Sequence, residues 1–261
     1  MELGIPSRQS PLRPAGRPEG VRFRALQLGA RALQSTPPLR GFDAYLVGFH
    51  PAKHEPSMQM EAHHYCKVVG DDLIQCVLFD GNTGDANLIG IEYIVSGSLF
   101  ATLPEEEKDH WHPHNYEVLS GQLIAPGLPA AAEQQLMTEL LNSYGKTWHT
   151  WHTGRHDLGG DQDLPLGDPM LMWSFNRDGA CDPALETHRA EAMGIDPAEV
   201  RRRRQELQDR AEPQRGVDAL RESFTRTAAI PGVEDIEQAT RARGEGPDSS
   251  TPRPADGEEH A

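Results

Sequence analysis

The chain has 261 residues, 37% of them apolar, which is enough for one large domain with extensions. Its net charge is −15, and ten of its twelve histidines lie in the acidic segment 41–182, a setting that excludes a nucleic-acid partner and suits a cation. No run of about 18 apolar residues occurs, so no transmembrane helix is expected.

In chain order, residues 1–20 are rich in Pro, Gly and Arg and read as a disordered arm. They lack the apolar stretch of a secretory signal, so the expected location is cytoplasmic. The next segment, VRFRALQLGARALQ at 21–34, follows a helical period. Arg24, Gln27 and Arg31 make a polar stripe, and Phe23, Leu26, Ala30 and Leu33 an apolar one. Such a basic amphipathic helix either packs on its own domain or lies peripherally on a lipid surface.

From Gly41 the signals are those of strands. HHYCKVV and LIQCVLFD flank the turn GDD as a hairpin, and NLIGIEYIV reads as a buried third strand with Glu92 inside it. Cys66, Cys76 and Cys181 form no CxxC and read as free, mostly buried thiols. Whether Cys66 and Cys76 face each other depends on a register that a one-residue slip would change.

Thr102 and Glu105 have capping-box spacing with Pro104 in the first turn, and Pro113 is expected to end that helix near Trp111. NYEVLSGQLIAP then reads as a strand, and PAAAEQQLMTELLNSYG as a helix stopped at Gly145. KTWHTWH and PMLMWSFN read as further strands. Beyond Asp182 the pattern becomes helical and charged over 183–240, and the arginines of RRRRQELQDR read as a solvated face. Residues 241–261 read as a disordered tail.

The chain has no nucleophile elbow, P-loop or GxGxxG, so no catalytic motif marks a reaction. Its histidines instead form four groups: His50 and His54; His63 and His64; His110, His112 and His114; His149, His152 and His156. On a strand, His112 and His114 share a face while Glu117 points away. A metal needs two or three such ligands together with a carboxylate. The candidate ligands of a divalent ion are therefore His63, His64, His112, His114 and Glu117. HPHNYEVLSGQL resembles in part the first metal-binding motif of cupins, an HxH followed by a glutamate. It departs from that motif in the short Asn115–Tyr116 spacer and in Glu106, which stands where a glycine is wanted.

Six stretches, EAHHYC, QCVLFD, LIGIEYIVS, LPEEEKDHWHPHNYEVLSG, YGKTWHTW and LPLGDPMLM, occur in the order of the motifs of the oil body-associated protein family, and the chain resembles that family from about Gly41 to Phe175. The resemblance implies a non-enzymatic protein acting peripherally at lipid droplets or membrane surfaces, with no established activity. Its matching polar positions here are His63, His64, Cys66, Cys76, Glu92, Trp111, His112, His114, Tyr116, Glu117, Tyr144 and Lys146, then His149 and His152. The arginine-rich arm and the long charged tail depart from the plant members.

The expected fold is a single α+β domain over 21–182, with a mostly antiparallel sheet flanked by helices, followed by the charged helical extension. Three functions compete: a peripheral lipid-surface protein using the helix at 21–34, a metal-binding protein or metal-dependent enzyme using the His/Glu cluster, and a scaffold whose tail recruits partners.

Overall fold

A computed structural model describes residues 4–153 and 163–242. Among these residues seven strands run β1 (Ala44–Ala52), β2 (Glu55–Gly70), β3 (Leu73–Phe79), β4 (Leu88–Val95), β5 (His112–Pro113), β6 (Tyr144–His149) and β7 (Met170–Met172). Their order is β4-β3-β2-β1-β7-β6-β5, all antiparallel, and a further pairing of β4 with β6 closes six of them into a barrel. The α+β class holds, but the expected flanked sheet is corrected to a closed barrel. Alternation within a strand reveals which residues share a face, not which edges meet. Closure is made by Gly90–Val95 lying along Tyr144–His149, a pairing of segments about fifty residues apart.

Among the described residues there are also eight α-helices: α1 (Val21–Leu33), α2 (Gly97–Ala101), α3 (Glu105–Lys108), α4 (Asn115–Ser120), α5 (Ala130–Leu140), α6 (Pro183–Met193), α7 (Pro197–Arg204) and α8 (Ile236–Ala242). Local chemistry explains their ends. The side chains of Asp182 and Asp196 accept from the first-turn N–H groups of α6 and α7, each followed by a proline at the first helical position.

Three local readings are corrected. Thr102 closes α2 instead of opening the next helix, and α3 starts after Pro104 and ends at Lys108, short of Trp111. NYEVLS is a helix, not a strand. All of its residues from Asn115 to Leu119 are buried, so one and a half turns display no amphipathic period, and Gly121 ends it at φ 79. Gly145 is no helix stop but lies inside β6.

The cysteines are also corrected. The β2–β3 register sets Cys66 opposite Cys76, and the two form a disulfide; Cys181 is buried and outside that bond.

The arm expected to be disordered is tied to the barrel over the residues described. Arg8 forks onto Glu61 with Nε and Nη2 at 3.2 and 2.9 Å, its N–H donates to Asn82 Oδ1, and Ser10 donates to Asp80. Burial opposes ionisation of Glu61, but hydrogen bonds and charge from His63 and Arg8 outweigh it and bring the carboxyl to about 2, against an ordinary 4.5. A carboxyl held low in the folded state stabilises it fully above pH 4.5, and that contribution disappears as the pH falls toward 2. Arg8→Ala should therefore raise the acid-unfolding midpoint, read by circular dichroism between pH 2 and 5, and cost about 1–3 kcal/mol at neutral pH.

Residues beyond 182 are part of the same core. Leu185, Leu207, Val217, Ile230 and Val233 are buried in one cluster with Phe49, Leu119 and Phe175. Nor is the arginine run a solvated face throughout: Arg204 is 1% exposed and pairs with Glu133 at 3.0 Å, while Arg201 forks onto Asp178. Helix α1 is the opposite case, with no buried residue at all.

Candidate metal centre

Strand pairing decides which histidines enter the barrel. Directly opposed residues share a face. The ladders run His64 to Leu78 to Gly90 to His149, and Cys76 to Glu92 to Thr147, with Gly145 opposite His112. His50, two residues beyond Gly48 on β1, falls on the same face. His50, His64, Glu92, His112, His114, Glu117 and His149 are all buried, none more than 3% exposed.

These groups converge on Glu92. Its Oε2 lies 2.9 Å from His64 Nε2, and its Oε1 lies 3.4 Å from both His112 Nε2 and His114 Nε2. Glu117 Oε2 approaches His114 Nε2 at 3.8 Å, and His50 Nδ1 contacts His149 Nε2 at 3.2 Å. Two trios, His50–His64–Glu92 and Glu92–His112–His114, each bring their ligand atoms within 4.8 Å of one another.

Missing side chains make the space. A Cβ on Gly145 would sit 2.2 Å from Glu92 Oε1 and 2.6 Å from His112 Nε2, and one on Gly48 would meet Leu123, His64 and Glu117.

The protonation pattern suits a cation. Ser143 donates its hydroxyl to the Leu140 carbonyl, so the 2.7 Å contact with His114 is donated by Nδ1–H. That directs His114 Nε2 at the carboxyl groups of Glu92 and Glu117, a position from which an imidazole nitrogen can ligate a cation held between them. Burial, reinforced by His64, holds the His50 imidazole well below its usual range; burial likewise lowers His112 to about 4 and His149 to about 3, so these rings are neutral at neutral pH. Burial opposes ionisation of Glu92, yet the close approach of the His112, His114 and His64 rings keeps it well below the usual carboxylate range. Burial and the nearby Glu92 push Glu117 well above that range. Meanwhile His64 Nδ1, Glu92 Oε1, His149 Nδ1 and both His112 ring nitrogens make no hydrogen bond with the protein. Neutral imidazoles around a carboxylate form a ligand set for Zn, Fe, Ni or Mn.

Of the residues singled out in the sequence, His64, His112, His114 and Glu117 are brought together. His63 is not, because strand alternation turns it outward, where its Nδ1 meets Tyr45 Oη at 2.7 Å and its Nε2 lies 3.1 Å from Glu61. His54 is exposed, His110 half-exposed, and His156 lies outside the described residues. His152 is buried but belongs to neither trio. The other family-matching polar positions brace the scaffold. Trp111 and Lys146 both donate to Glu107, Tyr116 donates to Asp178, and Tyr144 stacks on Phe100 with ring centroids 3.6 Å apart. The sequence places Glu92 in a buried strand, as an alternative to Glu117 for the carboxylate on which the histidines converge, and it groups His50 with exposed His54. A carboxylate inside an apolar strand and a histidine two residues after a strand glycine were the signals available.

Fold and site together define an antiparallel six-stranded barrel, wrapped by helices, with a histidine–carboxylate cluster inside it. A family model described as "Protein of unknown function (DUF1264)" matches residues 36–208, and the chain belongs to that family. It is similar to oil body-associated protein 2A of Zea mays, 36% identical over 205 residues that cover 78% of this chain and 79% of the relative. Its likeness to oil body-associated protein 1B of Arabidopsis thaliana is 41% over 154 residues, covering 59% of this chain and 62% of the relative, which is less than two thirds of that protein's length. Oil body-associated protein 2B of Arabidopsis thaliana is 38% identical over 184 residues. No solved structure matches.

Proposed function

We propose that the chain is a metal-binding protein that holds a divalent ion inside its barrel on Glu92 and the surrounding imidazoles. The observation that carries this reading is His114 Nε2, oriented by Ser143 through the opposite ring nitrogen and aimed at two carboxyl groups 3.4 and 3.8 Å away. Unsatisfied buried polar atoms cost about 1–3 kcal/mol each, and a bound cation would satisfy several at once. Elemental analysis of untagged, freshly purified protein should give at least one transition-metal ion per chain, falling below a tenth in Glu92→Gln. Equal metal in both proteins, or none in the wild type, would defeat the reading.

A second role has its own support. The relatives are named for oil bodies, and α1 leaves Val21, Phe23, Leu26, Leu28 and Leu33 exposed among three arginines. Peripheral attachment to an anionic lipid surface through α1 is consistent with both, and no helix among the described residues is long and apolar enough to cross a membrane. Vesicles containing phosphatidylserine should carry the wild type to the top of a flotation gradient and leave Phe23→Asp/Leu26→Asp behind. Flotation of both alike would remove α1 from any such role.

A further inference from the structure

Resting on the metal-centre reading, we infer that Glu92 bridges two divalent ions, one held by His50 and His64 and the other by His112 and His114.

The division is written in the carboxylate itself. Oxygen Oε2 faces His64 on β2 at 2.9 Å, whereas Oε1 faces His112 and His114 on the β5–α4 side at 3.4 Å each. A single ion would use one oxygen and one histidine pair, leaving the other pair buried and aimed at the carboxylate without purpose. Both trios are compact, each with its ligand atoms within 4.8 Å of one another, and Glu92 is the member they share. Carboxylate-bridged sites hold their ions about 3.5–4 Å apart, a span that the two oxygens of one carboxylate provide.

Each half also has its own orienting contact. His149 lies 3.2 Å from His50 on one side, and Ser143 fixes His114 at 2.7 Å on the other. A second buried carboxyl group, Glu117, stands 3.8 Å from His114 Nε2 and would supply, once a second dication displaces its proton, the negative charge that ion requires. Both halves are two histidines with one carboxylate, a set that leaves coordination positions for water or a small anionic ligand.

Titration of the chelator-stripped full chain with Co(II), followed by the visible d–d bands, tests this directly. Saturation is expected at two equivalents, and Mn(II) should give the broad spectrum of an exchange-coupled pair rather than six isolated lines. His50→Gln and His112→Gln remove one half each and should bind fewer than two equivalents. Saturation of the wild type at one equivalent would overturn the bridge while sparing the metal centre. No binding at all would overturn both. Two equivalents persisting in both variants would place the second ion elsewhere and likewise overturn the bridge. The wild-type stoichiometry and Mn(II) spectrum decide the matter even where a variant folds poorly.

Discussion

A chain ending at Asp182 is expected to lose its cooperative fold, although charge pattern and composition place a natural boundary there. The segment beyond it covers five large apolar side chains of the barrel and its surroundings. Val47 clusters with Met193 and Val200; the Arg189 guanidinium lies over Phe49, 4.4 Å from the ring centroid; Gly232 abuts Leu119. Trp173 donates to the Gly216 carbonyl, and Phe175 packs on Phe224. Removing the segment also removes the entropy cost of ordering it, so the loss that counts is the newly exposed surface. Five such side chains at about 1.5–3 kcal/mol each come to roughly 10 kcal/mol. That is comparable to the whole stability of a typical domain, about 5–15 kcal/mol. The truncated protein should be insoluble, or should melt without a cooperative transition while binding ANS. A sharp two-state transition near the wild-type midpoint would refute the packing role of residues 183–242. The same outcome bears on the scaffold idea, since a tail that completes the core is not free to recruit partners with all of its surface.

The contrast between α1 and the C-terminal helices explains what could be read from the sequence. Amphipathic periodicity found α1 to within a residue, yet α1 buries nothing, while α6 and α7, dense in charge, carry Leu185 and Val200 into the core. Periodicity records that a face exists and is silent on whether anything covers it. Strands β2, β3 and β4 were legible because alternation and turn residues are local. Barrel closure was not, because β4 and β6 meet through a pairing remote in sequence. The same asymmetry governs the site. His112 and His114 announced themselves by spacing, whereas His50 and Glu92 join the cluster only through the ladders that set β1, β2 and β4 around one interior. His63 and His64 are adjacent in sequence, and only the register tells which of them faces inward. The disulfide follows the same rule, since only the register sets Cys66 opposite Cys76.

Gly145→Ala should abolish the centre and destabilise the protein by about 3–5 kcal/mol. The added Cβ would lie 2.2 Å from Glu92 Oε1 and 2.6 Å from His112 Nε2, distances that packed atoms do not tolerate. Neither neighbour can yield cheaply. Glu92 is held from its far side by His64 at 2.9 Å, and His112 is fully buried, 6.0 Å from the Trp173 ring centroid to centroid. The backbone cannot retreat either, because Gly145 is paired with Ile94 on one side and His112 on the other. Overpacking of this kind costs about 1–3 kcal/mol. Displacing a charged carboxylate from its hydrogen bonds adds roughly 1.5–3 kcal/mol. Gly84→Ala is the matched control: nothing lies within 4 Å of its Cβ position, so its stability should stay within about 0.5 kcal/mol of wild type. Urea unfolding and metal content of the two variants, measured side by side, separate a steric strike on the site from a generic glycine effect. If Gly145→Ala unfolds with the wild-type midpoint and retains its metal, then Glu92 and His112 do not occupy the positions on which the proposed centre depends.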